Sequence, residues 1–510
     1  MKKKTLLLIA ASLLTGNILA QEVPNAKEFL PGPPNYMTDV TTSVQYIKDY
    51  LQYEWGKTER NTELGRQAKI DSETDLNKDQ YAEVLTANYL DAFSKVVGLE
   101  LSSRNTPNIY TLFNYCVTYG ERAQEQARTS FESTRPYARF NQTTLVPEYE
   151  DQYKNVSSYP SSQAMMGWLF ALMLTEICPD KQDAILARGY AYGTSSVISG
   201  YHWDSDSYAG CLLASALVAR MHTHTGSRFN EMVTSAINEY ERKSGITNNK
   251  LSTNDEAYLS IDELPDGHSY LPEPPTTESP IFATDLSAHI NGLRNRTTDE
   301  GATARRDVDD SVDYLCSIFA DVLNKDISSS STPQTYKLFD KMYESAVDAT
   351  QKCKDYYQRQ RPYVQLNEST SYPPDEDVLR DNGSYPSGHA CASWLYALVM
   401  SEIAPDYQEA LLDRAFKYGN GRVITGYHWQ SDVDMGRLVG SAAYARMHFN
   451  SDFMEQLKLA QKEFNGGSGI RTTTTDDNSK AQIYTLEGVR LNDTPTRSGI
   501  YIRGNKKVAY

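Results

Sequence analysis

Positive charge is in short supply: 50 Lys and Arg face 66 Asp and Glu over 510 residues, a net charge of −16. Nucleic acid and anionic membranes need a basic footprint, so neither is expected as a partner. Cysteine is also sparse. The six residues (Cys116, Cys178, Cys211, Cys316, Cys353, Cys391) have neither the density of a small stapled domain nor the spacing of a zinc site. After the N-terminal stretch no apolar run is long enough to span a bilayer, so the mature chain is expected to be soluble. Strand signals are scarce until the last thirty or so residues.

The chain does open on "MKKKTLLLIAASLLTGNILA", a Lys-rich start, an apolar stretch from Leu6 to Leu14, and Ala20 before a polar segment. This predicts a secretory signal peptide over 1–20 with cleavage before Gln21, and hence a periplasmic or more distant location. No Cys follows the apolar stretch, which argues against a lipoprotein anchor.

"GYHWDSD" at 200–206 returns as "GYHWQSD" at 426–432, 226 positions later. The offset holds outward: "GTSSVISGYHWDSD" at 193–206 and "GNGRVITGYHWQSD" at 419–432 share nine of fourteen residues, "RPY" recurs at 135–137 and 361–363, "YPS" at 159–161 and 385–387, "ARMH" at 219–222 and 445–448. A constant offset over more than a hundred residues is a nearly gapless duplication. Further upstream "FLPGPP" at 29–34 resembles "YLPEPP" at 270–275 at a changed offset. The expected organisation is a first repeat over 21–262, a second over 263–464, a Gly- and Thr-rich linker over 465–481 and a β-rich tail over 482–510.

Within each repeat the periodicity is helical. "SGHACASWLYALVMSEIAP" places Ala390, Trp394, Leu395, Leu398 and Val399 at three- and four-residue spacing and stops before Pro405. Segments 81–97, 109–131, 335–358 and 407–418 also read as helices. The fold class is therefore mainly α: two tandem helical bundles plus a short C-terminal β tail.

Three clusters of the second repeat carry chemistry. Lys354 and Arg361-Pro362 form K-x6-R-P, which puts two cations about two turns apart along a helix end. In "GSYPSGH" at 383–389 a Ser387-Gly388 turn opens a helix, offering backbone N–H groups and a hydroxyl to an anion. Arg422, His428 and Asp432 form the third, with an i,i+4 carboxylate beside an imidazole. Three cations, a helix N-terminus, two histidines and a carboxylate suit phosphoryl transfer without a metal: one His attacks and the other protonates the leaving oxygen.

Together, K-x6-R-P, "PSGH" and R-x5-H-x3-D resemble the signature of the superfamily of type-2 phosphatidic acid phosphatases and vanadium haloperoxidases. "GSYPSGHA" and "RVITGYHWQSD" look most like its class A bacterial non-specific acid phosphatases. The resemblance covers roughly 265–455 fully and 25–230 as a degraded copy. It implies helical bundles of that superfamily and hydrolysis of phosphate monoesters with broad specificity and no cofactor. It makes His428 the nucleophile of a phosphohistidine intermediate, Asp432 its orienting group and His389 the general acid. Lys354, Arg361, Ser387, Gly388 and Arg422 would be the phosphate cradle. An acidic, bell-shaped pH profile and inhibition by vanadate are further implications. Gly421 and Ala390 stand where the family usually has Ser and Thr, and neither change removes a charged or proton-transferring group.

At matching positions the first repeat reads Arg128, Arg135, Ser161, Ser162, Gln163, Ser196, His202 and Asp206. Gln163 replaces the general acid and Ser196 a cation, so this copy is expected to be catalytically dead, to bind anions weakly through Arg128 and Arg135, and to take the place of a partner subunit in an intramolecular pseudo-dimer. The rival functions are a vanadium-dependent haloperoxidase and a non-enzymatic phosphate- or glycan-binding surface protein. "HTH" at 222–224 has no carboxylate or cysteine cluster near it in the chain, so no metal site is assigned. The basic tail, with "IYTLEGVRL" and "GIYIRGNKK", resembles C-terminal sorting domains that some bacteria use for transfer across the outer membrane.

Overall fold

In a computed structural model the described residues are 23–34, 44–77, 80–223, 228–246 and 257–466, together with short strands between 483 and 509. The signal peptide, linker residues 467–481 and His224 lie outside them. Eight long helices form the first repeat: α1 Val44–Glu59, α2 Glu63–Leu76, α3 Ala82–Val97, α4 Pro107–Ser130, α5 Ser162–Ile177, α6 Gln182–Ser199, α7 Asp204–Thr223 and α8 Arg228–Ser244. Eight more follow in the same order: α9 Phe282–Asn295, α10 Asp299–Arg306, α11 Val312–Leu323, α12 Pro333–Tyr357, α13 Gly388–Ile403, α14 Gln408–Thr425, α15 Gln430–Met447 and α16 Ser451–Gly466. The helical bundles and the duplication are as the sequence predicts.

Matching helices start and stop for the same local reasons. Pro107 and Pro333 occupy the first turns of α4 and α12, behind Thr106 and Thr332, where a missing N–H costs nothing. Gly200 and Gly426 end α6 and α14 in the left-handed region, with φ of 91° and 89°. At Gly426 a Cβ would also lie 2.4 Å from Nη2 of Arg296. That guanidinium ties α9 to α14 through the carbonyl of Ile424 at 3.0 Å, and Arg60 does the same to Ile198 at 3.0 Å. The duplication therefore reaches upstream to α1 and α9, at an offset of 236, where the sequences have diverged around the retained contacts.

The apolar stripe expected for α13 is an underestimate. From Ala390 to Ile403 every side chain is buried, and α5 and α15 are buried along nearly their whole lengths. The cause is packing between repeats: α13 lies against α12, α14 and α15 of its own repeat and against α7 of the other. One hydrophobic core runs through both repeats, from Val23 to Phe464. Ser215 Oγ donates to Ser441 Oγ at 2.9 Å. These serines are 226 positions apart, so the two repeats meet about a local two-fold axis. Arg220 adds bonds to Gln408 Oε1 and Glu409 Oε1 at 2.6 and 3.0 Å.

All six cysteines are buried and free. The tail is a separate unit, in which β1 Ile483–Tyr484, β2 Arg490–Leu491, β3 Ile500–Arg503 and β4 Lys506–Ala509 make an antiparallel sheet of order β2-β1-β3-β4. Among the described residues no helix is long and apolar enough to cross a membrane.

Candidate active site

Four segments of the second repeat bring one set of charged and polar groups together. The first is the end of α12. Lys354 sits in its last turn, and Gln358 then takes a left-handed conformation with φ 43° that stops the helix. Arg361 therefore does not continue along α12, contrary to the two-turn spacing expected from the sequence. It caps the short helix Pro362–Gln365 and re-enters the pocket from there. Its guanidinium is fixed by carbonyls: Nε donates to Leu379 and Asn382 at 3.0 Å each, and Nη1 to Tyr427 at 3.2 Å.

The second segment opens α13. Ser387 is the N-cap, its hydroxyl accepting from the Ala390 amide at 3.4 Å. The first-turn amides of Gly388 and His389 then have no acceptor within the helix, the usual anion-binding arrangement. The third, the end of α14, carries Arg422, buried and lying over the Tyr427 ring at 4.3 Å. Its Nε and Nη1 find no hydrogen-bond partner among the described residues. Two unsatisfied guanidinium nitrogens in a buried pocket mark where an anion is expected.

The fourth segment links α14 to α15 and presents His428. Its Nδ1 is 2.8 Å from the carbonyl of Ser384 and 3.4 Å from Oδ2 of Asp432, while Nε2 faces Nη1 of Arg361 at 3.0 Å. With the proton on Nδ1, donated to the Ser384 carbonyl, Nε2 keeps its lone pair toward the cations. Burial, then Arg361, Lys354, Arg422 and His389, push the His428 ring well below the ordinary histidine range, which favours its neutral form. His389 is partly exposed and stacks on Tyr418. Its Nε2 lies 3.0 Å from the Val308 carbonyl, which leaves Nδ1 for proton transfer. Burial, Arg422, Lys354 and Arg361 lower this ring too.

All eight residues singled out from the sequence thus belong to these four segments. None lines a cavity of about 670 Å3 between the repeats, which is walled by Tyr190, Tyr208, Tyr270 and Tyr385. The sequence reading missed the Ser384 carbonyl, whose type carries no signal, and Arg359. The Arg359 fork bonds Oδ1 of Asp432 and, at 2.7 Å, Oδ2 of Asp285, with its side chain 7% exposed. Asp285 in turn accepts from the amide and hydroxyl of Ser431. Removing one member of a buried charge network costs about 3–5 kcal/mol. Thermal unfolding of Arg359→Ala should show a loss of that size, and Arg359→Lys a smaller one.

Comparison with known proteins gives the family. The model of the PAP2 superfamily matches twice, over residues 109–229 and 342–453. A non-specific acid phosphatase of Providencia stuartii is 39% identical over 208 residues, 41% of this chain and 84% of that protein. One from Salmonella typhi is 37% identical over 214 residues, covering 42% and 86%. An acid phosphatase of Zymomonas mobilis is 29% identical over 194 residues, covering 38% and 74%. The chain belongs to the PAP2 superfamily.

The first PAP2 copy keeps the frame and loses the electrostatics. His202 repeats the contacts of His428, with Nδ1 at 2.8 Å from the Ser158 carbonyl and Nε2 at 3.2 Å from Arg135. Ser133 stands where Arg359 would be, however. Oδ1 of Asp206 then has no hydrogen-bond partner among the described residues, and burial raises this carboxyl to about 8, against about 6 for Asp432, where Arg359 offsets burial. Gln163 takes the place of His389 and accepts from Ser72 at 3.1 Å. Helix α2 has 14 residues where α10 has 8, and its last turn brings in Asp75. Asp75 Oδ2 accepts from Ser162 Oγ at 2.7 Å, and that hydroxyl accepts from Arg128 at 2.8 Å. A carboxylate of the chain itself thus faces the cations of this pocket.

Proposed function

We propose that the second repeat is the catalytic domain of an exported, broad-specificity acid phosphatase that works through a phosphohistidine. The observation that carries this reading is the pair of Arg422 nitrogens with no hydrogen-bond partner among the described residues, beside an imidazole whose Nε2 lies 3.0 Å from Nη1 of Arg361. A phosphate monoester would place its oxygens on Lys354, Arg361, Arg422, Ser387 and the Gly388 amide. His428 Nε2 would attack phosphorus in line while the P–O bond to the alcohol breaks and His389 protonates the departing oxygen. Water would then attack phosphorus as the P–N bond to His428 breaks, with His389 taking the water's proton and phosphate and the free His428 imidazole left behind. Fixed cations do the work of charge stabilisation, so the chemistry calls for no metal. Vanadate, which adopts the trigonal-bipyramidal geometry of the transition state, should inhibit competitively.

The first repeat, on this reading, is inactive and fills the place of a partner subunit. Its anion site is occupied by Asp75, which leaves less for a phosphate than its two arginines suggest. Export is supported by the N-terminal sequence.

Lys354 supplies a pH test. Burial, then the neighbouring Arg361, lowers its ammonium to about 7, with Asp432 opposing and Arg422 reinforcing. A lysine is charged below its pKa, so kcat/KM should be full in acid and fall as pH rises through about 7. His428, held neutral well below that, keeps the acid side open. Lys354→Arg, whose charge persists, should retain activity and move the alkaline limb upward. A pH profile of kcat/KM with 4-nitrophenyl phosphate decides it. An unmoved limb would remove Lys354 from the cradle.

A further inference from the structure

The last turns of α7 and α15 meet on the local two-fold axis, far from the pocket: α15 has 18 residues, so about 27 Å of helix separates His448, at its end, from His428, before its start. There His222 and His448 stack at 4.3 Å between centroids. Glu176 Oε1 lies 3.2 Å from Nε2 of His222, and Glu402 Oε1 2.9 Å from Nε2 of His448. Each residue of one repeat matches one of the other at an offset of 226, and all four are 5% exposed or less. We propose that this quartet is a structural site for a divalent transition-metal ion, zinc being the natural fit, which clamps the two repeats together.

Donor placement carries the proposal. Ligand atoms of Glu176, His222 and His448 lie within 4.8 Å of one another, and inward movement of these three, with Glu402 Oε1 following from its place 2.9 Å from His448 Nε2, would complete tetrahedral contact at about 2.0–2.2 Å from a zinc ion. Both rings are turned as metal-bound histidines are: Nδ1 of His222 faces Asn230 Oδ1 at 2.8 Å, and Nδ1 of His448 faces the Tyr444 carbonyl at 2.9 Å. Those acceptors place the proton on Nδ1 and leave the Nε2 lone pairs converging between the carboxylates. Without a cation those lone pairs would face carboxylate oxygens. A divalent ion with two neutral imidazoles and two carboxylates is electroneutral. Oε2 of Glu176, buried, has no hydrogen-bond partner among the described residues, and Tyr444 donates to Glu402 at 2.6 Å as an outer-sphere support. The "HTH" motif gave no metal site from the sequence because its partners are 46 to 226 residues away.

The test uses the full chain, stripped with chelator and dialysed at pH 7.5, then titrated with zinc or cobalt(II) chloride. Expected are a single tight site of micromolar Kd or better with proton release, a raised Tm, and visible absorption of tetrahedral cobalt. Glu176→Gln and His448→Gln should each weaken binding at least about tenfold while leaving 4-nitrophenyl phosphate turnover at 25 °C unchanged, which also shows that they fold. No uptake by the stripped protein, or uptake that both substitutions leave intact, overturns the proposal. In that case the quartet is a proton-bound ion-pair cluster.

Discussion

Replacing His428 with alanine should abolish phosphomonoester hydrolysis, with a loss on the order of 10⁴–10⁶-fold, as for removal of other catalytic nucleophiles. The same substitution at His202 should leave turnover unchanged. The two imidazoles have nearly the same contacts: a serine carbonyl at 2.8 Å on Nδ1 and an arginine on Nε2. The contrast comes from what surrounds them. His428 faces Arg422, which has nitrogens to spare, and a second histidine. His202 faces Ser196 and Gln163 at those positions, with Asp75 bonded through Ser162 to Arg128. Phosphate release from a panel of monoesters, together with trapping of acid-labile phosphoprotein, would measure this. Turnover surviving in His428→Ala and lost in His202→Ala would assign the chemistry to the wrong repeat.

This contrast was largely legible in the sequence, because it rests on side chains whose types announce chemistry and whose order is kept at a constant offset. Arg for Ser at 422 and 196, or His for Gln at 389 and 163, needs no coordinates. What could not be read was of two kinds. One is backbone: the Ser384 carbonyl that sets the His428 tautomer belongs to a residue that any other could replace. The other is contact between distant segments, as with Arg359, Asp285 and Asp432, or the His–Glu quartet drawn from both repeats. Helix α13 shows the same limit in packing: its apolar positions read as one stripe, yet a second repeat covers the opposite face and buries the whole helix. The match of α1 to α9 is faint in the sequence because the offset changes there, while Asp49 and Arg60 and their counterparts Asp285 and Arg296 retain their contacts.

His389→Ala should cost about 10²–10⁴-fold, and the size should depend on the leaving group. In the empty pocket burial and the three cations Arg422, Lys354 and Arg361 hold this imidazole well below the ordinary range, the wrong state for an acid. On the proposed mechanism a phosphate dianion bound among those cations would reverse their effect, so that His389 would take up its proton together with substrate and hold it on Nδ1, with Nε2 against the Val308 carbonyl. An alkoxide leaving from an alkyl phosphate needs that proton. 4-Nitrophenolate, a stable anion, does not. Alkyl and sugar phosphates should therefore show the full loss in His389→Ala, and 4-nitrophenyl phosphate a loss at least about tenfold smaller. Equal losses for both substrates would mean that His389 holds phosphate oxygens instead of donating to the leaving group, and the alkaline limb of the pH profile would then belong to Lys354 alone.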